Sequence, residues 1–301
     1  HVLLMDDDIL LHPESLLTTI SFLRLLRHQY EDAFLGGAML DLEDKVMQFE
    51  SQAAWNQKKL VWMNHKRDLD VRLRSACVYN DFPIPVPREN AYQAWWYCVI
   101  PMQMLQKHGL PYPFFVRQDD IEYALRATPS SIIHLNGICV WHEGFDDRFR
   151  PSVDCYQYVR NFLVMNAMDG CSSDAAFMQR IQRNMRFFLR TMYYDAVELF
   201  LDGIEDYMKG PEFLVHADGE QLMKSNGGRN EKLAPVDQLD SAIREALVLK
   251  PGYLSTEYET PLFVKLWRTL PYDRHLLPDA LLRDKPVAVL YSLPGCLTPA
   301  A

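Results

Sequence analysis

The sequence predicts an α/β protein whose site lies along the carboxyl ends of its strands, followed by a helical region. Three observations carry this. His1-Val2-Leu3-Leu4-Met5 is an apolar run too short for a helix and long enough for a buried strand, and it empties into Asp6-Asp7-Asp8. Aromatic and β-branched runs at 34–40, 95–101 and 138–141 alternate with segments of helical spacing and lead into polar residues. From 154 to 209 the alternation gives way to helical periodicity throughout. The chain is therefore divided into an α/β part, 1–150, a helical part, 151–209, and a remainder, 210–301, without a clear pattern.

On the first strand, residues two apart project to the same side, so Asp6 and Asp8 can aim at one point while Asp7 faces away. Two converging carboxylates repel unless they are protonated or bridged by a cation, and an all-oxygen pair suits Mg2+ or Mn2+ holding a phosphate-bearing ligand. The competing reading is an Asp-rich turn that bonds only its neighbours' backbone N–H groups. His12-Pro13-Glu14-Ser15 sets up a helix, with Pro in the first turn and Glu14 at the positive end of the dipole; Leu16, Leu17, Ile20, Leu23 and Leu26 continue it. Residues 34–40 read as a strand whose Gly36-Gly37 pair permits close backbone approach. The stretch that follows, to about residue 90, is rich in charge, Asn, Asp and Pro and reads as a long functional loop.

Residues 95–101 read as the next strand. Adjacent Trp95 and Trp96 would then face opposite ways, leaving one of them for a second environment such as a sugar-binding surface. A helix over 102–108 stops at Gly109. Asp119-Asp120 precedes a helix over 121–127, where Asp serves either as a cap or as a general base taking a proton from an attacking hydroxyl. The strand 138–141 delivers His142, a satisfied buried histidine or a nitrogen ligand to a metal. In the helical part, Phe177, Ile181, Met185, Phe188 and Met192 oppose Arg180, Arg183, Arg186 and Arg190, which form either a solvated charged face or a seat on anionic lipid.

With 301 residues, 49% hydrophobic and 24% charged, the chain is globular, and its net charge of -9 argues against a nucleic-acid partner. No apolar run approaches the roughly 18 residues of a membrane span. Six cysteines without a Cys-x-x-Cys pair fit a reducing, cytoplasmic setting. A start at His1, inside what reads as a core strand, leads to the expectation of a fragment of a longer protein.

Taken in order, Met5-Asp6-Asp7-Asp8-Ile9, Gly36-Gly37-Ala38-Met39-Leu40, the block from Tyr92 to Pro101, Phe114-Phe115-Val116-Arg117-Gln118-Asp119-Asp120 with Tyr123-Ala124-Leu125-Arg126-Ala127, Val140-Trp141-His142 and Val159-Arg160-Asn161 resemble the polymerising galactofuranosyltransferases of mycobacterial-type galactan synthesis. The resemblance implies the carboxy-terminal portion of a GT-A-type, Rossmann-like mixed sheet and an inverting family 2 glycosyltransferase that uses a UDP-sugar. By the same resemblance Asp6, Asp8 and His142 hold Mn2+ or Mg2+, Asp120 is the catalytic base assisted by Asp119, and Trp95 and Trp96 line the sugar or acceptor site. Asp7, Gly37 and Arg117 join that substrate-binding set. The implied partners are UDP-galactofuranose and a glycan or lipid-linked acceptor, which suits a peripheral position at the inner face of a membrane; self-association stays open. The chain departs from the family pattern at Gln118, where the family has an aromatic residue, and at Tyr158, where it has His. A metal-dependent phosphohydrolase and a non-catalytic carbohydrate-binding or interaction module are the alternatives.

Overall fold

The computed structural model describes residues 1–57, 60–144, 149–170, 172–190, 193–230, 241, 289–293 and 296–300. In chain order the elements are β1 (Val2–Leu4), β2 (Leu10–Leu11), α1 (Pro13–Leu25), β3 (Phe34–Asp41), β4 (Met47–Glu50), β5 (Gln52–Asn56), β6 (Val61–His65), β7 (Leu69–Asp70), α2 (Arg74–Asp81), β8 (Ala91–Tyr92), β9 (Cys98–Ile100), α3 (Met102–His108), α4 (Asp119–Ala127), β10 (Ile132–His142), α5 (Tyr158–Asp169), α6 (Asp174–Arg190), α7 (Tyr194–Met208), α8 (Pro211–His216), α9 (Gly219–Gly227), β11 (Val289–Leu293) and β12 (Cys296–Ala300). Backbone contacts divide the chain into one unit of 1–144, 161–177 and 214–216 and a second of 145–160, 178–213 and 217–301.

The first unit is built on a mixed seven-stranded sheet in the order β1-β9-β3-β10-β2, with β4 added to β3 and β7 to β4. This is a GT-A-like α/β arrangement. β3 and β10 run parallel and in a register that sets His142 beside Asp41, so both strands deliver their last residues to the same end of the sheet. The sheet core joins Leu35, Met39, Trp96, Tyr97, Val99, Ile138 and Val140, each worth about 1.5–3 kcal/mol when fully buried. β3 can lie this close to its neighbours because it carries Gly36-Gly37: a Cβ on Gly37 would meet Tyr97 Cβ at 2.8 Å, and one on Gly36 would meet Gln93 Oε1 at 2.1 Å. Helix α1 covers the core with Leu16, Phe22 and Leu23, and is pegged by two hydroxyls, Thr19 to Tyr97 Oη (2.6 Å) and Ser15 to the Cys139 carbonyl (3.0 Å). Leu17 and Ile20, which share its periodic apolar pattern, are instead 56% and 49% exposed.

Two expectations are corrected. The charged stretch up to residue 90 is not a loop: it folds into β4 to β7, α2 and a small sheet in which β6, β5 and β8 pair in that order. Its strands are only two to five residues long, too short for length or alternation to betray them. The strand expected to begin at Trp95 begins at Cys98, and the two tryptophans occupy the turn before it. The alternation argument that would have sent them to opposite faces does not apply there.

The second unit is helical, as its periodicity indicated. A π-helical turn at Ser152–Gln157 opens it, and Gly203 on α7 lets the helix approach this turn so closely that a Cβ would sit 2.7 Å from the Tyr156 carbonyl. Part of its buried polar set is joined internally: Arg160 donates to Tyr156 Oη (3.2 Å) and Gln157 Oε1 (2.6 Å), and Tyr156 donates to Asp206 Oδ2 (2.5 Å). Along α6, Phe177, Ile181 and Phe188 are buried while Arg183 and Arg186 are exposed. Arg180 is only half-exposed; the Arg190 side chain and Met192 lie outside the described residues. Among the described residues no helix is long and apolar enough to cross a membrane.

Candidate metal and catalytic site

Just past β1 the chain turns, and Asp6 and Asp8 present their carboxylates to the ring of His142 at the last position of β10. His142 Nε2 lies 3.2 Å from Asp8 Oδ1 and 4.0 Å from Asp6 Oδ2, and the three ligand atoms fall within 4.8 Å of one another. The carboxylates are open to solvent, 44% and 60% exposed, whereas the imidazole is buried. Its Nδ1 lies 2.6 Å from the Glu143 carbonyl and must donate to it, which leaves Nε2 as the ring atom facing the acids. Burial pushes Asp6 above its ordinary pKa, with Asp8, Asp119 and Asp7 adding to the shift and His142 opposing it. Two oxygen donors and one preoriented nitrogen, gathered where negative charge is in excess, fit a divalent cation that retains open positions for a ligand's oxygens and water. Asp7 is exposed and is not among the three converging ligand residues.

Asp119 and Asp120 open α4. The residue at the helix start is Gln118, which makes no side-chain cap, and it and Arg117 hold left-handed backbones at φ +65° and +70°. Two consecutive non-glycine residues in that region cost of order 1–3 kcal/mol each and need external support. Asn161, fully buried on α5, supplies it: its Nδ2 donates to the carbonyls of Val116 (2.8 Å) and Arg117 (2.9 Å). The kink turns the helix start so that Asp119 accepts from backbone N–H groups of the first turn, while Asp120 Oδ1 accepts from Ile121 N at 2.7 Å. Burial drives the Asp120 pKa far upward, reinforced by Asp119 and by Asp6, and Arg117 only partly offsets this. Asp6 raises the Asp120 pKa and Asp119 raises that of Asp6, so the two acidic pairs are near enough to influence each other.

The sequence reading missed Glu50, the last residue of β4. It is 2% exposed, its pKa is pushed up to about 8 by burial, with Arg67 opposing and Asp120 adding, and its Oε2 has no partner among the described residues. Tyr92 lies beside it, its hydroxyl raised well above the ordinary value by burial, Asp120 and Glu50. Alternation within Met47-Gln48-Phe49-Glu50 could have flagged a buried acid, had the strand been recognised.

The remaining expected site residues divide. Trp95 is half-buried and meets the Tyr123 ring edge-on at 6.2 Å. Trp96 is taken up by the core, its indole N–H bonded to the Gly37 carbonyl at 3.0 Å, and Gly37 lies within buried β3. Arg117 bears on Asp119, Asp120 and Tyr92 and stands 5.9 Å over the ring of Trp62, which is 42% exposed.

No protein-family model matches the chain. Among curated proteins it is similar to the galactofuranosyltransferase GlfT2 of Mycobacterium tuberculosis, 26% identical over 233 residues that cover 71% of this chain and 35% of that protein. It is likewise similar to the galactofuranosyltransferase GlfT2 of Mycolicibacterium smegmatis, 28% identical over 225 residues, 71% of this chain and 34% of that protein. The chain thus spans about a third of the length of the curated relatives it matches.

Proposed function

We propose that this chain carries the metal-binding and catalytic portion of an inverting glycosyltransferase that moves galactofuranose from UDP-galactofuranose to a glycan acceptor. The observation that carries the reading is the convergence of Asp6, Asp8 and His142 on one point, with the recessed Asp119–Asp120 pair near enough to influence Asp6. Both relatives are named galactofuranosyltransferases, which supports the sugar.

Asp6, Asp8 and His142 would hold Mn2+ or Mg2+, whose bound charge neutralises the diphosphate as it leaves. Asp120 takes the proton of the acceptor hydroxyl as that oxygen bonds to the anomeric carbon from one face and the UDP oxygen departs from the other. One displacement inverts the centre, and no covalent nucleophile is needed. An upward-shifted carboxyl suits this work, because once ionised it is a stronger base than an ordinary carboxylate. Arg117 and the Ile121 N–H steady the ionised form, and Trp95, Trp62, Glu50 and Tyr92 surround the sugars. Exposed Arg183 and Arg186, with Met178 and Phe187 half-exposed beside them, support docking on anionic lipid that bears the acceptor. Co-sedimentation with anionic liposomes that survives Arg183→Gln/Arg186→Gln would remove that helix.

The test is transfer itself. With Mn2+, UDP-galactofuranose and a galactofuranosyl-terminated acceptor, the chain extends the acceptor; Asp120→Asn lowers the rate roughly 10²–10⁴-fold and leaves UDP affinity in calorimetry unchanged. Release of UDP at the same rate without acceptor would make the site a hydrolase and refute the transferase reading.

A further inference from the structure

At the amino end of β10, some eight residues and roughly 25 Å of strand from His142, lies a second cleft of about 370 Å3, within the usual size of small-molecule sites. Its floor is Lys66. The side chain is only 5% exposed, its ammonium donates to the Asn80 carbonyl at 2.7 Å, and among the described residues no carboxylate stands within 4.0 Å of it. A buried ammonium with one neutral acceptor is incompletely compensated: burial lowers its pKa, and the charge of Asp81 opposes this only in part. Lys66 also holds a left-handed backbone at φ +53°, a second cost at the same residue.

The seat is built rather than accidental. Gln48 and Asn80, both buried, exchange reciprocal amide bonds of 3.1 and 2.7 Å, and Gln48 also donates to the Lys66 carbonyl at 2.8 Å. One wall is the Pro83-Ile84-Pro85 segment, fixed where Gln52 bonds both the carbonyl (2.9 Å) and the N–H (3.2 Å) of Ile84. Opposite it, Arg88 bonds the carbonyls of Thr128 and Pro129 at 3.0 and 2.9 Å, and the next residue, Ser130, lines the cleft with a buried hydroxyl that has no partner among the described residues. His134 at the back gives its Nε2 proton to Gln93 and is kept neutral, its pKa lowered to about 3 by burial. The one carboxylate in the lining, Asp81, already accepts from Asn136.

We infer that this cleft binds a phosphate monoester of a small organic molecule, with the phosphate on Lys66, Ser130 and Arg88 and the organic body against Pro83 and Pro85. The anion supplies the counter-charge that Asp81 gives Lys66 only in part, the orphan hydroxyl gains an acceptor, and the proline wall covers an apolar or ring face. None of this depends on the transferase reading, because no residue is shared with the metal site.

The experiment is a thermal titration of the full chain in EDTA with glucose 1-phosphate, beside inorganic phosphate and sodium chloride at matched ionic strength. The expected result is a saturable rise in Tm with glucose 1-phosphate, at least tenfold weaker in Lys66→Met and within twofold of the parent in Asp8→Asn. A flat titration, a response retained in Lys66→Met, one lost in Asp8→Asn, or inorganic phosphate binding as tightly as the ester would each overturn the proposal. Should Lys66→Met fail to fold, Ser130→Ala and Arg88→Gln at the cleft rim decide: weakening of at least threefold in both supports the site, and unchanged affinity in both refutes it.

Discussion

The two acidic pairs of the first unit are made of the same residue and are near enough to influence each other, yet their surroundings divide them. Asp6 and Asp8 sit on a turn, open to water, with the buried imidazole of His142 as third member. Asp119 and Asp120 begin a helix, recessed behind a strained backbone and next to another buried acid, Glu50. The carboxylates of the turn are reachable from solvent by a cation, whereas burial raises the Asp120 pKa, which suits proton transfer. Environment, not residue type, assigns the roles.

The comparison can be broken at its metal arm first. Removing the imidazole in His142→Ala is expected to weaken Mn2+ binding at least 100-fold, well beyond the roughly 10–100-fold typical of losing a supporting contact, when followed by calorimetry on the isolated chain. If affinity falls less than tenfold, the two aspartates are an ordinary solvated turn. The same variant should leave the acidic limb of any pH–rate profile where it was, because that limb belongs to Asp120. The limb itself is expected above the usual carboxylate range, with activity lost as pH falls through the raised pKa.

A smaller effect isolates the recessed arm. Asn161→Ala leaves the Val116 and Arg117 carbonyls without their donor and lets the left-handed pair relax, so turnover should drop about tenfold while Mn2+ affinity stays within twofold. Parallel loss of both would mean that the two pairs are positioned together.

The mildest test concerns stability. The folded Glu50 pKa of about 8 lies above its unfolded value of 4.5, so the folded state keeps a proton that the unfolded state gives up. Stability is therefore full below pH 4.5 and declines as pH rises through 8, by about 1.4 kcal/mol for each unit in between. Glu50→Gln removes the decline: its Tm should match the parent near pH 4.5 and exceed it by several degrees at pH 8. Equal Tm values at pH 8 would show that Glu50 is not the recessed acid that costs the fold stability.

Much of this site was legible from residue order because its members lie where strands and helices end. An apolar run emptying into acids, and another emptying into His142, mark the carboxyl edge of a sheet wherever they occur, and Gly109 and Asp119-Asp120 mark helix limits by chemistry alone. Glu50, Lys66 and Asn161 were not legible as such. Glu50 and Lys66 belong to short strands and tight turns whose pairing is set by distant partners, and Asn161 acts on carbonyls some 45 positions earlier, which no local pattern encodes. The tryptophan turn was misjudged for a related reason. Aromatic content favours a strand, but the glycine pair of β3 drew Tyr97 and Trp96 inward, and the packing decided the backbone.

One small bond has a kinetic meaning. With the Glu143 carbonyl holding the Nδ1 proton, the His142 ring already turns Nε2 toward the aspartates before any cation arrives. Capture then involves no swing of a buried ring, and the slow event would be left to the ion, which must shed its own water. Ions that exchange water quickly would load this site fastest, whatever their final affinity, so the order in which cations occupy the protein and the order in which they are retained become two separate properties of the same three side chains.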